Sequence, residues 1–150
     1  MALLTAIMAM LMMLALAATL TLTTTTETAI AANHRDGTQG LYAGEAAAAL
    51  AIDRLRSPVV WDAVAGAASP TMMLQGALSE LLQVGSIDPR IEVSVSASPA
   101  PDGDRDVLVV QAIARGPRAI RRNLQLTIRR RLGEDLTADP VIDVVSWREQ

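Results

Sequence analysis

At 150 residues and a formal net charge of −3, the chain has room for one modest domain and lacks the basic excess of a general polyanion binder. It has no cysteine, which excludes disulfides and thiolate metal sites, and its lone histidine, His34, excludes a multi-histidine metal site. Hydrophobic residues make up 51%, yet there is no Phe, two Trp and one Tyr, so a globular part has to build a thin aliphatic core.

The first segment, MALLTAIMAMLMMLALAATLTL (residues 1–22), carries no charge and reaches the ~20 residues a helix needs to cross the ~30 Å hydrocarbon core of a bilayer. Thr23 to Thr26 follow, and Glu27 is the first charged residue. Three readings of such a start compete: a cleaved secretory signal, an ordinary signal anchor, and a mature N-terminus whose basic leader has been removed. The first two draw on basic flanking residues, and none precedes Arg35. The third is the expectation.

The helical pattern continues beyond the apolar segment. No proline interrupts residues 27–56, Ala is abundant, and Ser57-Pro58 supplies a stop. The threonine run is the weak point, because β-branched side chains lower helix propensity. One helix from about Ala2 to Arg56 would be about 80 Å long. Its apolar stripe reads Leu41, Ala48, Ile52 and Leu55, with Arg35, Asp36, Glu45, Asp53 and Arg54 on the polar surface. The remaining residues are too few to cover such a rod, so lipid or other chains have to bury much of it. Gly37, Gly40 and Gly44 share one helix face, and each costs roughly 1 kcal/mol against alanine in a helix interior. Small residues on one face permit close backbone approach, so this face is expected to pack against other helices. The alternative is that the glycines loosen or kink the helix beside its own domain.

The start MALLTAIM, the charge-free helix and the following ANHRDGTQGLYAGEAAAAL together resemble the type IV pilin superfamily, most closely its minor pilins and the tip pseudopilin of type II secretion. The matching segments are Asn33, Arg35 and Asp36, then Tyr42, Glu45 and Ala46, and the closing VVSWREQ resembles the ending of such minor pilins. The resemblance covers residues 1–56 well and residues 105–150 loosely. It implies an α+β fold in which a long N-terminal helix, transmembrane in its first half, packs its second half against a small antiparallel sheet. It also implies partners: other pilin or pseudopilin subunits, a prepilin peptidase and an inner-membrane assembly platform, with an N-methylated Met1. Major pilins carry a Glu at the fifth mature position, where it pairs with the N-terminal ammonium of a neighbouring subunit. A lone carboxylate in an apolar filament core would be expensive, and the pairing makes it tolerable. Thr5 cannot offer that ion pair, which fits a subunit that enters first and sits at the tip. Met1, Thr5, Gly37, Gly40 and Gly44 are then the expected subunit-packing residues.

After Ser57-Pro58 the pattern changes. VVWDAVAGAA reads as a short helical turn, and TMMLQGALSELLQVG as a helix with an apolar face of Met73, Leu74, Leu78, Leu81 and Leu82, ended by Gly85. Period-2 alternation then begins. RIEVSVSA places Ile91, Val93, Val95 and Ala97 on one side and Glu92, Ser94 and Ser96 on the other; SPAPDGDR is turn chemistry. DVLVVQAIA is apolar on both faces, as a central strand would be. RRNLQLTIRRR turns Leu124, Leu126 and Ile128 inward and Arg121, Asn123, Gln125, Thr127 and Arg129 outward. PVIDVVSW is a candidate fourth strand after the loop GEDLTADP, with Trp147 anchoring it against the core. The expected organisation is thus a transmembrane or filament-core segment (residues 1–22), its amphipathic continuation (23–56) and a head (57–150). The head divides into a helical region (57–85) and an antiparallel sheet (90–147).

Candidate chemistry is sparse. Asp102, Asp104 and Asp106 alternate as calcium ligands do, but the full twelve-residue calcium loop is absent and a hairpin loop accounts for the same letters. The arginines of GPRAIRRNLQLTIRRR are in principle phosphate ligands, but stacking aromatics are lacking, so nucleic acid is not the expected partner. No nucleophile, base and acid set accompanies His34. The expectation is a non-enzymatic filament subunit without a cofactor, held first in a bacterial inner membrane with its head in the periplasm and later in a periplasmic or extracellular filament. The alternative is a single-pass membrane protein whose outward domain binds a ligand or partner without assembling.

Overall fold

A computed structural model describes residues 2–84, 87–117, 120–131 and 140–150. The chain divides into two compact units, Met1–Arg35 and Asp36–Gln150. Helix α1 (Ala2–Leu55) contributes to both, in agreement with the proline-free pattern of the sequence. In the first unit every residue from 2 to 31 is exposed, including Leu3, Met8, Leu11, Leu14, Leu20 and Ile30.

The second unit is α+β. The end of α1 leads through Ser57 into α2 (Pro58–Ala65), whose proline occupies the first turn, where a missing N–H is harmless. β1 (Thr71–Ala77), α3 (Leu78–Leu82), β2 (Glu92–Pro99), β3 (Val107–Arg115), β4 (Arg121–Arg131) and β5 (Val141–Glu149) follow. The five strands pair antiparallel in chain order, β1-β2-β3-β4-β5. The alternation seen in the sequence sets the faces: Ile91, Val93, Val95 and Ala97 are buried, as are Leu124, Leu126 and Ile128. β3 is the central strand, as expected; Leu108, Val110, Ala112 and Ala114 are buried on one face, while Val109, Gln111 and Ile113 on the other are half-buried.

Residues 71–77 differ from expectation: they form an edge strand, so the expected helix over residues 71–85 shrinks to Leu78–Leu82. Met, Leu, Gln and Ala favour helix in isolation. The free edge of β2 overrides that preference, pairing Leu74 with Val95 and Ala77 with Glu92 across a bulge at Met72 and Leu74. Gly76 adopts φ 143°, which only glycine takes without strain, and Gln83 in the left-handed region closes α3. Gly85, expected to end the helix, lies outside the described residues, as does most of the expected loop GEDLTADP.

The inward stripe of α1 is also rotated from the one expected. Asp36, Gly37, Gly40, Ala43, Gly44, Ala47, Ala48, Ala51 and Leu55 are buried, while Leu41 and Ile52 are half-buried flanks. Asp36 is therefore not surface decoration but 9% exposed. Small side chains carry little hydropathy, so a stripe read from large residues points about one residue away from the face that packs. The glycines explain the packing. A Cβ on Gly44 would lie 2.8 Å from Leu124 Cδ1, one on Gly37 3.1 Å from Arg122 Nη2, and one on Gly40 3.4 Å from both Arg122 Cγ and Ile120 Cγ2. The three glycines let β4 lie against the helix, which redirects the expected subunit-packing face into the protein's own core.

The core is aliphatic apart from its largest fully buried side chain, Trp61, which the sequence pattern did not single out. Its indole N–H donates to the Arg105 carbonyl oxygen at 2.9 Å, and the Arg130 guanidinium lies 5.2 Å from the ring centroid. Arg130 also donates to Asp62 at 3.0 Å and Asp106 at 3.4 Å, with its side chain 12% exposed. Arg122 and Arg130 share the inward phase of Leu124, Leu126 and Ile128 at the two ends of β4; the Arg130 side chain is largely shielded, whereas that of Arg122 is 42% exposed and pairs with Glu149.

Two outcomes follow from this packing. Gly44→Leu is expected to destabilise the second unit by about 1–3 kcal/mol through overpacking against Leu124, read as a lowered midpoint in chemical unfolding of the detergent-solubilised chain; an unchanged midpoint contradicts the close approach. Trp61→Ala is expected to destabilise by about 3–5 kcal/mol in the same measurement.

Candidate interaction site

The first candidate surface is the start of α1. Residues 2–26 include no charge, and their apolar side chains stand uncovered, with Leu3 at 77% and Met13 at 73% exposure. By length and composition this helix can cross a membrane. Thr5, expected in subunit packing, is on this exposed segment, and its hydroxyl donates to the Ala2 carbonyl oxygen at 2.9 Å. Met1 lies outside the described residues. Gly37, Gly40 and Gly44 do not join this surface, because β4 covers them.

The residues that carry the family resemblance are dispersed around the helix. Asn33, Arg35, Tyr42 and Glu45 are exposed, Ala46 is half-buried and Asp36 is buried. Tyr42, 64% exposed, borders a mostly apolar groove of about 300 Å³ between α1 and the α3 segment, lined also by Ala43, Leu78, Leu82 and Ile91. Asp88 stands at the rim of this groove. The Arg90 guanidinium and backbone N–H donate to its carboxylate, which holds Asp88 below the usual carboxylate range.

A second groove, about 410 Å³, runs between α1 and β5 and is lined by Ala48, Ala49, Ile52, Leu126, Val144 and Trp147, with Glu45 on its edge. Here the structure corrects an expectation: Trp147 is 49% exposed and does not anchor β5 into the core. It is in phase with Leu126, opposite which it pairs, so the sequence pattern identified its side of the sheet correctly. What the pattern misses is coverage. Five strands at about 4.8 Å spacing are wider than one helix of about 10 Å, and α1 and α2 stand over β2, β3 and β4.

The calcium candidates Asp102, Asp104 and Asp106 lie in the turn between β2 and β3. Asp102 and Asp104 each accept a backbone N–H two residues on, at 3.3 and 3.0 Å, and Asp106 accepts from Arg130. Among the described residues no group of three or more His, Cys, Asp or Glu side chains is placed to hold a metal ion. The arginines considered for phosphates are partly engaged within the protein: Arg122 with Glu149, Arg130 with Asp62 and Asp106, and Arg131 with Asp143. Arg118 lies outside the described residues. Millimolar calcium is expected to leave the thermal unfolding midpoint unchanged, since a ligand that stabilises must bind the folded state preferentially; a rise that Asp104→Asn abolishes would contradict the turn assignment. Comparison with known proteins yields no match to a family model, a curated protein or a solved structure.

Proposed function

We propose that the chain is a non-enzymatic minor pilin or pseudopilin subunit. It is held first in the bacterial inner membrane, its head on the periplasmic side, and is then built through the start of α1 into a type IV pilus or type II secretion-like filament. The observation that carries this reading is the charge-free, wholly exposed helical surface of residues 2–26, continuous in one helix with residues that pack on an antiparallel sheet. Removing apolar surface from water contributes roughly 25 cal/mol per Å², so such a surface needs either acyl chains or other helices around it.

The chemistry is an exchange of one apolar environment for another. In the bilayer, Leu, Met and Ala side chains of residues 2–22 contact lipid; in the filament the same side chains contact the helices of neighbouring subunits. With Gly37, Gly40 and Gly44 already occupied by β4, close approach to neighbours falls to the Ala- and Thr-bearing positions of the first segment. The segment has no carboxylate before Glu27, and so requires no ion-pair partner from a preceding subunit. That property favours a first-entering position at the tip.

Because the chain has no native cysteine, cross-linking is clean. Thr5→Cys or Met12→Cys, expressed with the other subunits of the same assembly system, is expected to give cross-linked species larger than the monomer when those subunits carry cysteines in their own apolar helices. Exclusively monomeric protein under all such pairings contradicts assembly and favours the non-assembling single-pass alternative.

A further inference from the structure

The sequence bounds the apolar segment at Leu22, before the run Thr23 to Thr26, within a stretch, residues 19–28, that holds seven threonines. The hydrogen bonds say otherwise. Thr19, Thr21, Thr23, Thr24, Thr26 and Thr28 each donate the side-chain hydroxyl to the carbonyl oxygen four residues earlier, and Thr25 donates to that of Leu22, three residues earlier. Apart from that of Thr19, these bonds measure 2.8–2.9 Å. A hydroxyl is expensive in hydrocarbon only while its donor is unmet. Here each donor is met within the same helix, and what each side chain presents outward is a Cγ methyl.

We propose that the hydrocarbon-contacting surface of α1 extends through Thr26 and ends at Glu27, with lipid acyl chains as its partner over residues 23–26 as over residues 2–22. The proposal rests on the membrane-inserted state of the proposed function and lengthens the segment assigned to it. A span of residues 2–26 rises about 37 Å at 1.5 Å per residue, which exceeds a hydrocarbon core of about 30 Å. The excess is taken up by tilt or by local thickening of the bilayer. Glu27 then meets the headgroup region, and Asn33, His34 and Arg35 lie in water. The second carbonyl interaction at each threonine also bends a helix slightly, which suits a tilted span.

The test is a depth profile of the full chain in phosphatidylcholine nanodiscs. Spin labels are placed singly by Leu11→Cys, Thr23→Cys, Thr26→Cys and Asn33→Cys, and accessibility to oxygen is compared with accessibility to a water-soluble nickel complex. Oxygen is expected to dominate at 11, 23 and 26 and the nickel complex at 33. Nickel accessibility at 23 and 26 with oxygen dominance at 11 overturns the extended surface while leaving a membrane span in place. Nickel accessibility at 11 overturns the membrane span itself. Because each threonine label removes one hydroxyl, a second measurement keeps the run intact: with the label at 20, replacing Thr23, Thr24 and Thr26 together by Val leaves the depth unchanged, whereas replacing them by Asn shifts it toward the surface by about one helical turn, 5.4 Å. Equal depths for the Val and Asn variants also overturn the proposal.

Discussion

The contact of β4 with the glycines of α1 is the constraint on which the second unit depends. Gly44 admits Leu124 to a position where a Cβ would stand 2.8 Å from its Cδ1, and the Arg122 side chain crosses Gly37 and Gly40. Glycine in a helix interior loses roughly 1 kcal/mol against alanine. The loss is offset by closing the helix onto a sheet whose core is otherwise made of Ala, Val, Leu and Ile. Ala43, Ala47, Ala48 and Ala51 continue the same small face, each 2% exposed or less, so the helix stays close to the sheet until Leu55 and Trp61 take over. A core without Phe reaches native density by shrinking the distance between its layers rather than by enlarging the side chains between them.

This assignment divides α1 into faces with different duties. Between residues 36 and 55 the small face belongs to the protein's own sheet, while Tyr42, Glu45 and Ala49 remain outside. Over residues 2–26 no face is covered. A partner helix therefore has an apolar, charge-free surface available at the start of α1, and the groove beside Trp147 as a smaller apolar feature of the second unit. The arginine clamps at either end of β4 work inside the unit: Arg130 ties α2 to the loop after β2 through Asp62 and Asp106, and Arg122 ties β4 to the end of β5 through Glu149. They contribute mainly by orienting elements, since partly exposed ion pairs are worth about 0–1 kcal/mol each.

Much of this was legible in the residues. Strict alternation in RIEVSVSA and RRNLQLTIRRR identifies β2 and β4 and their buried sides, and the proline-free run to Arg56 identifies α1. β1 was not legible, because Met72, Met73, Leu74 and Gln75 lean toward helix and become strand only through pairing with β2. The glycine face was legible as a packing surface, but its partner was not: nothing in the spacing of Gly37, Gly40 and Gly44 distinguishes a neighbouring helix from the protein's own β4. Trp61 and Trp147 illustrate the same limit. Neither is distinguished by a long apolar context, Trp61 standing between Val60 and Asp62 and Trp147 between Ser146 and Arg148, yet Trp61 on α2 is fully buried and Trp147 on the last strand is half exposed.

The central claim is that the exposed apolar start of α1 leaves lipid for the helices of other subunits. Its most direct measurement is the distribution of the epitope-tagged chain between the membrane and sheared, purified filaments of cells with an intact assembly system, imaged by immunogold electron microscopy. The account predicts gold on filaments, concentrated at their ends, and loss of that labelling when residues 2–22 are replaced by an unrelated membrane-spanning helix. Chain found exclusively in the membrane fraction, with bare filaments, contradicts it.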